Sequence, residues 1–290
     1  MEFLETLING LSVGSTYAMI ALGYTMGYGI AKMLNFAHGD IIMVGGYIIY
    51  LSLVQAAGPL VGLLIAVICC VVLGVIVEKL AYKPLRGASP LAVLITAIGV
   101  SYLLQSTAQM IFGSAPKMVT IANLGNFEIG TLIVPKYTVV TLVCCFAIMT
   151  VLTLFVKYTK TGRAMIAVSE DKGAAQLMGI NVNGIITITF AIGSALAAFA
   201  GFFMLMKSPS LSNTMGAMPG IKAFTAAVIG GIGSIPGAML GGILLGIVEA
   251  ISFKIPVIAP YTDAKEFLIL IVILLVRPSG LMGKKRREKV

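Results

Sequence analysis

Long apolar runs separated by short polar joints dominate the chain, and the run lengths are its first signal. A helix needs about 20 apolar residues to cross the hydrocarbon core of a bilayer. Runs of that order cover Leu7 to Ile30, Asp40 to Ala56, Pro59 to Leu80, Pro90 to Phe112, Tyr137 to Val156, Asn183 to Met206 and Tyr261 to Val276. Each predicts a spanning helix. A further apolar region, Ile221 to Phe253, is interrupted by Gly230-Gly231-Ile232-Gly233-Ser234-Ile235-Pro236-Gly237. Five Gly or Pro residues in eight positions oppose one continuous helix, because Gly costs backbone entropy and Pro removes a donor. Each arm is short for a full crossing, so the region predicts a re-entrant hairpin, or two short helices meeting within the membrane. The expected fold is all-α: a polytopic transmembrane helical bundle of about seven full spans plus the broken hairpin. It fills a single transmembrane domain over residues 1–290.

Composition strengthens this reading. Of 290 residues, 59% are hydrophobic and only 11% charged, and the mean hydropathy is +1.04. A soluble domain carries about a quarter charged residues. A chain this poor in charge cannot cover itself in water, whereas lipid accepts apolar surface. The net charge of +9 fits basic loops held at the cytoplasmic face and, with no nucleic-acid module present, does not point to nucleic acid. Lys32, then Lys79, Lys83 and Arg86, then Lys157, Lys160, Arg163 and Lys172, then Arg277 and the Lys284–Lys289 run fall on one side. That side is the expected cytoplasm, with the N-terminus outside and the C-terminus inside. The acidic start, Glu2 and Glu5, ahead of a long apolar run does not resemble a cleavable signal, so the first helix is expected to persist. The cysteines form two adjacent pairs, Cys69-Cys70 and Cys144-Cys145. With no ligand-spaced partner they read as small buried apolar side chains rather than metal ligands or disulfides.

Two connections exceed what a plain joint needs. The outer one, Gly113 to Lys136, is polar and Gly-bearing and reads as partly extended. The inner one, Lys157 to Val182, carries a pattern. Ser169 is a plausible N-cap, Glu170 and Asp171 suit a first turn, Ala174, Ala175, Leu177 and Met178 give an apolar side, and Gly179 is a C′ stop. The expected element is a short surface helix from Glu170 to Met178, small and alanine-rich. It suits a docking helix for a cytoplasmic partner better than an interfacial helix, which needs a large apolar face bounded by basic residues.

Thr161-Gly162-Arg163-Ala164, followed by Ala174-Ala175-Gln176-Leu177-Met178-Gly179-Ile180, resembles the coupling loop of bacterial ABC-importer permeases. Together with Gly14-Ser15-Thr16-Tyr17-Ala18, Asn35-Phe36-Ala37-His38-Gly39, Pro219 through Ala238 and Arg277-Pro278-Ser279-Gly280-Leu281-Met282-Gly283, it is similar to the branched-chain amino-acid permease family, on the side of the shorter of its two permease subunits. The resemblance implies a bacterial inner-membrane importer subunit for leucine, isoleucine, valine or a related amino acid or amide. It also implies a second homologous permease subunit, two cytoplasmic ABC ATPase subunits that bind ATP and Mg, and a periplasmic or lipid-anchored binding protein. This chain itself would hold no cofactor or metal and catalyse no reaction. Residues expected to couple to the ATPase are Gly162, Arg163, Glu170, Asp171, Gly173, Ala174, Ala175 and Gly179.

Candidates for the translocation path are two interruptions. One is Asn35, His38 and Asp40. Ionisable groups at membrane depth are functional candidates, as in a proton relay, although the same residues at the interface would merely cap helix ends. The other is Gly230, Gly231, Gly233, Ser234 and Pro236, where free helix ends could meet a polar solute or where small residues could simply let helices pack. The Gly run lacks the Lys of a phosphate loop. Glu249, among apolar neighbours, reads as an acid that pairs with a nearby Lys or caps a turn rather than one that touches substrate. A stand-alone secondary transporter or channel is the alternative to the importer subunit, and the inner docking helix separates them, since a self-sufficient carrier has nothing to dock. A membrane-embedded enzyme would need a catalytic cluster that one His and few intramembrane acids do not supply.

Overall fold

The computed structural model describes residues 2–33, 35–121, 125–129, 132–255, 259–277 and 279–283. The basic Lys284–Lys289 run lies outside the described residues. Helices dominate. In chain order they are α1 (Glu2–Met26, prolonged by a π turn, Gly27–Ala31), α2 (His38–Val54), α3 (Pro59–Val77, prolonged by a second π turn, Glu78–Tyr82), α4 (Pro90–Phe112), α5 (Lys136–Tyr158), α6 (Lys160–Glu170), α7 (Lys172–Leu177), α8 (Val182–Lys207), α9 (Ala217–Gly230), α10 (Ile235–Lys254) and α11 (Thr262–Val276). The outer connection is partly extended: β1 (Lys117–Met118) pairs with β4 (Ser210–Leu211), and β2 (Asn126–Ile129) with β3 (Leu132–Pro135), both antiparallel.

Five described helices are long and apolar enough to cross a membrane: Pro59–Leu85, Pro90–Phe112, Lys136–Tyr158, Val182–Lys207 and Ile235–Lys254. His38–Val54 and Ala217–Gly230 are apolar but shorter. The structure therefore departs from the expected full spans: α11, expected over Tyr261 to Val276 as the last of them, has only 15 residues, and α1 is not among these five. The second span, expected over Asp40 to Ala56, has the expected 17 residues but runs two positions earlier, His38–Val54, and is one of the shorter apolar helices. The second arm of the broken hairpin, expected to be short, is a 20-residue helix.

The chain forms two compact units. The larger combines Met26–Leu124 with Leu154–Ile221. Here α2, α3 and α8 pack on one another through small residues. A Cβ on Gly74 would strike Ser194, and one on Gly45 would sit 3.2 Å from Cys70 and 3.3 Å from Ala198. Close backbone approach of this kind replaces the hydrophobic drive that lipid removes. Cys70 is buried while Cys69 is exposed, so the expected burial holds for only one member of that pair. An apolar cluster of Ala31, Met33, Val77, Tyr82, Val93, Ala97, Ile186 and Phe190 ties both π turns to α4 and α8. Leu60, Leu64, Ile68 and Val72 on α3, and Leu91, Ile95 and Tyr102 on α4, are exposed. Those faces suit hydrocarbon rather than water.

The other unit comprises Met1–Thr25, Gly125–Thr153 and Lys222–Val290. Helices α1 and α10 touch backbone to backbone: a Cβ on Gly242 would strike Ala18, and one on Gly246 would strike Gly14. Lys222 on α9 is the shared cation of three carboxylates, Asp263 at 2.8 Å and Glu249 and Glu266 at 3.4 Å each. It lies 5.9 Å from the Tyr17 ring centroid. Glu249 thus pairs with a lysine, one of the two roles its sequence context suggested.

Candidate functional site

The loop between α5 and α8 is built from two helices and not one. Thr159 caps α6 by accepting from the Gly162 N–H at 2.9 Å. Gly162 is required by space, because a Cβ there would collide with the Phe155 and Val156 backbone. Met165 and Val168 bury the inner side of α6, which packs on α8 and on the first π turn. Asp171 then leaves the helical region, at φ −152° and ψ 113°, and its carboxylate accepts from the Ala174 N–H at 3.0 Å. This corrects the expected single helix from Glu170. Ser169 is no cap: it lies inside α6 and donates to the Ile166 carbonyl at 2.7 Å. Glu170 ends α6 instead of opening a helix.

The stop at Gly179 is as expected. Gly179 has φ +80°, a conformation that costs a side chain. Its N–H donates to Gln176 and the next N–H, of Ile180, donates to Ala175, both at 3.0 Å. That is a Schellman closure, which satisfies carbonyls the helix cannot. A six-residue helix is far too short to persist alone; caps at both ends fix it.

Fixing α7 determines its faces. Ala175 is 4% exposed and turns into the fold, whereas Leu177 and Met178 are 90% and 82% exposed. Gly173 and Ala174 are exposed with them, as are Arg163, Glu170 and Asp171. Of the residues expected to couple, Gly162 and Ala175 serve internal packing. Leu177 and Met178, read only as an apolar side, are the most prominent apolar groups of the loop. Two large apolar side chains beside an alanine on a capped helix form a surface with no internal use.

Lys172, the first residue of α7, reaches back to donate to the Ala31 carbonyl at 2.8 Å. Burial, aided by the Arg86 guanidinium, holds its ammonium below the ordinary lysine range. Arg86 pairs with the buried Glu78 of the second π turn and donates to Asn183. Thr187 donates to the same Glu78 carboxylate at 2.8 Å.

The candidates of the path are also placed. Asn35 accepts from the Tyr82 hydroxyl at 2.9 Å, and Asp40 accepts from the Gln105 amide at 2.8 Å. His38 and Asp40 are buried, at 3% and 1% exposure. Neither Asn35 nor Asp40 caps α2, whose N-cap is Ala37 without a side-chain bond. At the hairpin break, Gly231 and Gly233 have φ of +105° and +94°, and Ser234 caps α10 by accepting from Gly237 at 3.2 Å. Pro236 lies in the first turn of α10, where it costs no bond. A Cβ on Gly230 would strike Gly237. The Leu281 and Met282 N–H groups donate to Ile229 and Gly230 at 2.9 and 3.0 Å, closing the open end of α9. Among the described residues no group of three His, Cys, Asp or Glu could hold a metal ion.

Apolar helices with lipid-suited faces, one of them broken, and a structured polar loop define a polytopic membrane transport protein. The chain belongs to the family described as branched-chain amino acid transport system / permease component, which matches residues 6–277. Over 304 aligned positions it is 44% identical to the high-affinity branched-chain amino acid transport system permease protein BraD of Pseudomonas aeruginosa, spanning 100% of this chain and 98% of that protein. The corresponding LivH protein of Escherichia coli is 40% identical with the same coverage. A probable branched-chain amino acid transport permease protein LivH of Methanocaldococcus jannaschii is 29% identical over 91% of this chain and 88% of that one. The resemblance first seen in the coupling-loop, hairpin and C-terminal motifs therefore holds at the level of the family.

Proposed function

We propose that the chain is one membrane-spanning subunit of an ATP-driven importer in the bacterial inner membrane, and that it carries leucine, isoleucine and valine into the cytoplasm. The carrying observation is the α6–α7 loop, with Ala174, Leu177 and Met178 exposed together on a doubly capped helix. A carrier working alone has no use for such a surface. A partner's groove does, since buried apolar anchors dominate interfaces. The substrates named for the relatives from Pseudomonas aeruginosa and Escherichia coli support the aliphatic cargo.

In this reading two cytoplasmic ATPase subunits bind ATP and Mg and dock on α6–α7. A second homologous permease subunit completes the path, and an external binding protein delivers the amino acid. The chain binds no cofactor of its own and performs no chemistry. Closure of the ATPases pushes the loop, and α5 and α8, attached at its two ends, tilt to alternate access. The path candidates Asn35, His38 and Asp40 fit this scheme as polar groups that a passing zwitterion could meet, the last two buried and Asn35 half-buried. Gly230, Gly231, Gly233, Ser234 and Pro236 enter it through the hairpin whose turn they shape.

The test is reconstitution. The chain alone in liposomes, with labelled leucine and an imposed proton gradient, is expected to give no accumulation and no ATP hydrolysis. The chain with its permease partner, ATPases and binding protein is expected to accumulate leucine when ATP is present. Gradient-driven accumulation by the chain alone would overturn the subunit reading in favour of a secondary carrier.

A further inference from the structure

Helix α1 ends in a π turn, and a helix end leaves carbonyls without intrahelical partners. Two of the last carbonyls are met locally: Tyr28 accepts from the Lys32 N–H at 3.0 Å, and Gly29 from the Lys32 ammonium. The carbonyl of Ala31 is met from 141 residues away, by the Lys172 ammonium at 2.8 Å. Lys172 opens α7, the helix that carries the exposed Ala174, Leu177 and Met178. The bond therefore runs from the docking helix directly to the end of a long membrane helix.

The chemistry of this tie is specific. A cation suits the negative end of a helix dipole. Its partner is a neutral carbonyl and not a carboxylate, so the bond depends on close, aligned approach and weakens steeply as the two ends separate. The element at its far end can also change in a discrete step. A π turn holds one residue more than an α turn of the same length, and such turns recur at functional sites. Immediately after it Lys32 takes a left-handed conformation, φ +59°, that is uncommon for a side-chain-bearing residue. Absorbing or releasing one residue there rotates the end of α1 without unfolding it.

We infer that Lys172 is a positioning residue for transport: it makes the π turn of α1 follow α7, so that movement imposed on the docking helix reaches the membrane helix whose end it holds. The inference rests on ATPase docking at α6–α7 and adds the route by which that docking is felt. Lys172 is half-buried and points into the fold, so it is separate from the docking surface itself.

The experiment uses the full importer in proteoliposomes, with Lys172→Met, Lys172→Arg and Ala174→Arg compared with wild type. Co-purification of the ATPase subunits, ATP hydrolysis and leucine uptake are read on each. Lys172→Met keeps the aliphatic stem and is expected to retain the ATPases and hydrolyse ATP, while uptake per ATP falls roughly tenfold. Lys172→Arg can still donate to the Ala31 carbonyl and is expected to recover most of that ratio. Wild-type uptake per ATP in Lys172→Met overturns the inference, and so does an arginine variant no better than methionine, which would show a role in packing alone. Loss of the ATPases from Lys172→Met also overturns it, by placing Lys172 in docking and not in transmission. Ala174→Arg decides the underlying reading separately: its loss of the ATPases supports docking on α7, and retention of both ATPases and uptake refutes docking whatever Lys172 does.

Discussion

Lys222 shows how a single side chain can hold a membrane unit together. Its ammonium faces carboxylates from α10 and α11, and Glu266 is fully buried among them. Removing one partner of a buried ion pair leaves the others uncompensated, at about 3–5 kcal/mol. Lys222→Met should therefore lower the thermal unfolding midpoint of the detergent-purified chain severely, and midpoints equal to wild type would deny the cluster its structural role. Glycines separate in the same way. Gly246 has no space for a Cβ against Gly14, while Gly99 in α4 has nothing within 4 Å of one. Gly246→Leu should cost at least about 1–3 kcal/mol through overpacking. Gly99→Ala should be neutral or stabilising by up to about 1 kcal/mol, because alanine gives up less backbone entropy. Both are read from paired melts. At this scale sequence carried part of the answer: an acid stranded among apolar residues at 249 called for a cation or a turn to cap, but nothing local chose between them or named Lys222, 27 positions earlier. The space around a glycine is likewise a property of its neighbours and not of its own sequence.

Elements were legible where a residue type leaves the backbone little choice. The hairpin break followed from its Gly and Pro content, and the end of α7 from Gly179. What stayed hidden depended on competition between equals. Ser169 and Asp171 are both good N-caps, and Asp171 wins because Thr159 has already started α6, which places Ser169 inside it. The Arg277–Gly283 motif gave no sign that its N–H groups would close α9, a pairing across 52 positions. The caps of α7 make a direct prediction. Asp171→Ala removes the bond to Ala174 and should cost about 1 kcal/mol. Since α7 has only six residues, the loss should appear as faster amide hydrogen exchange over residues 173–178 with the spanning helices unchanged. Unaltered exchange would mean that packing of Ala175 alone fixes the helix.

Across the molecule, hydropathy located the apolar helices, α2 with the expected 17 residues, but not which of them cross, because a short apolar helix and a full span look alike when both are apolar. Charge is what argues for an orientation: Lys157 at the end of α5, Lys160, Arg163 and Lys172 in the loop that follows, and Arg86 after the second π turn make the pattern expected of a cytoplasmic face. A single cysteine at the exposed Gln176, in a background without the native four, should react with an impermeant thiol reagent only after the cells are opened. Reaction in intact cells would reverse the topology.

The central claim is that an external partner seats on α7 and drives transport through it. The most direct measurement is the amount of ATPase subunit that co-purifies with Ala174→Arg, at matched membrane levels, alongside leucine uptake. A buried contact that gains bulk and charge loses several kcal/mol, whereas a solvent-exposed site changes by roughly half a kcal/mol or less. The account predicts loss of both co-purification and uptake with normal insertion; retention of both would contradict it.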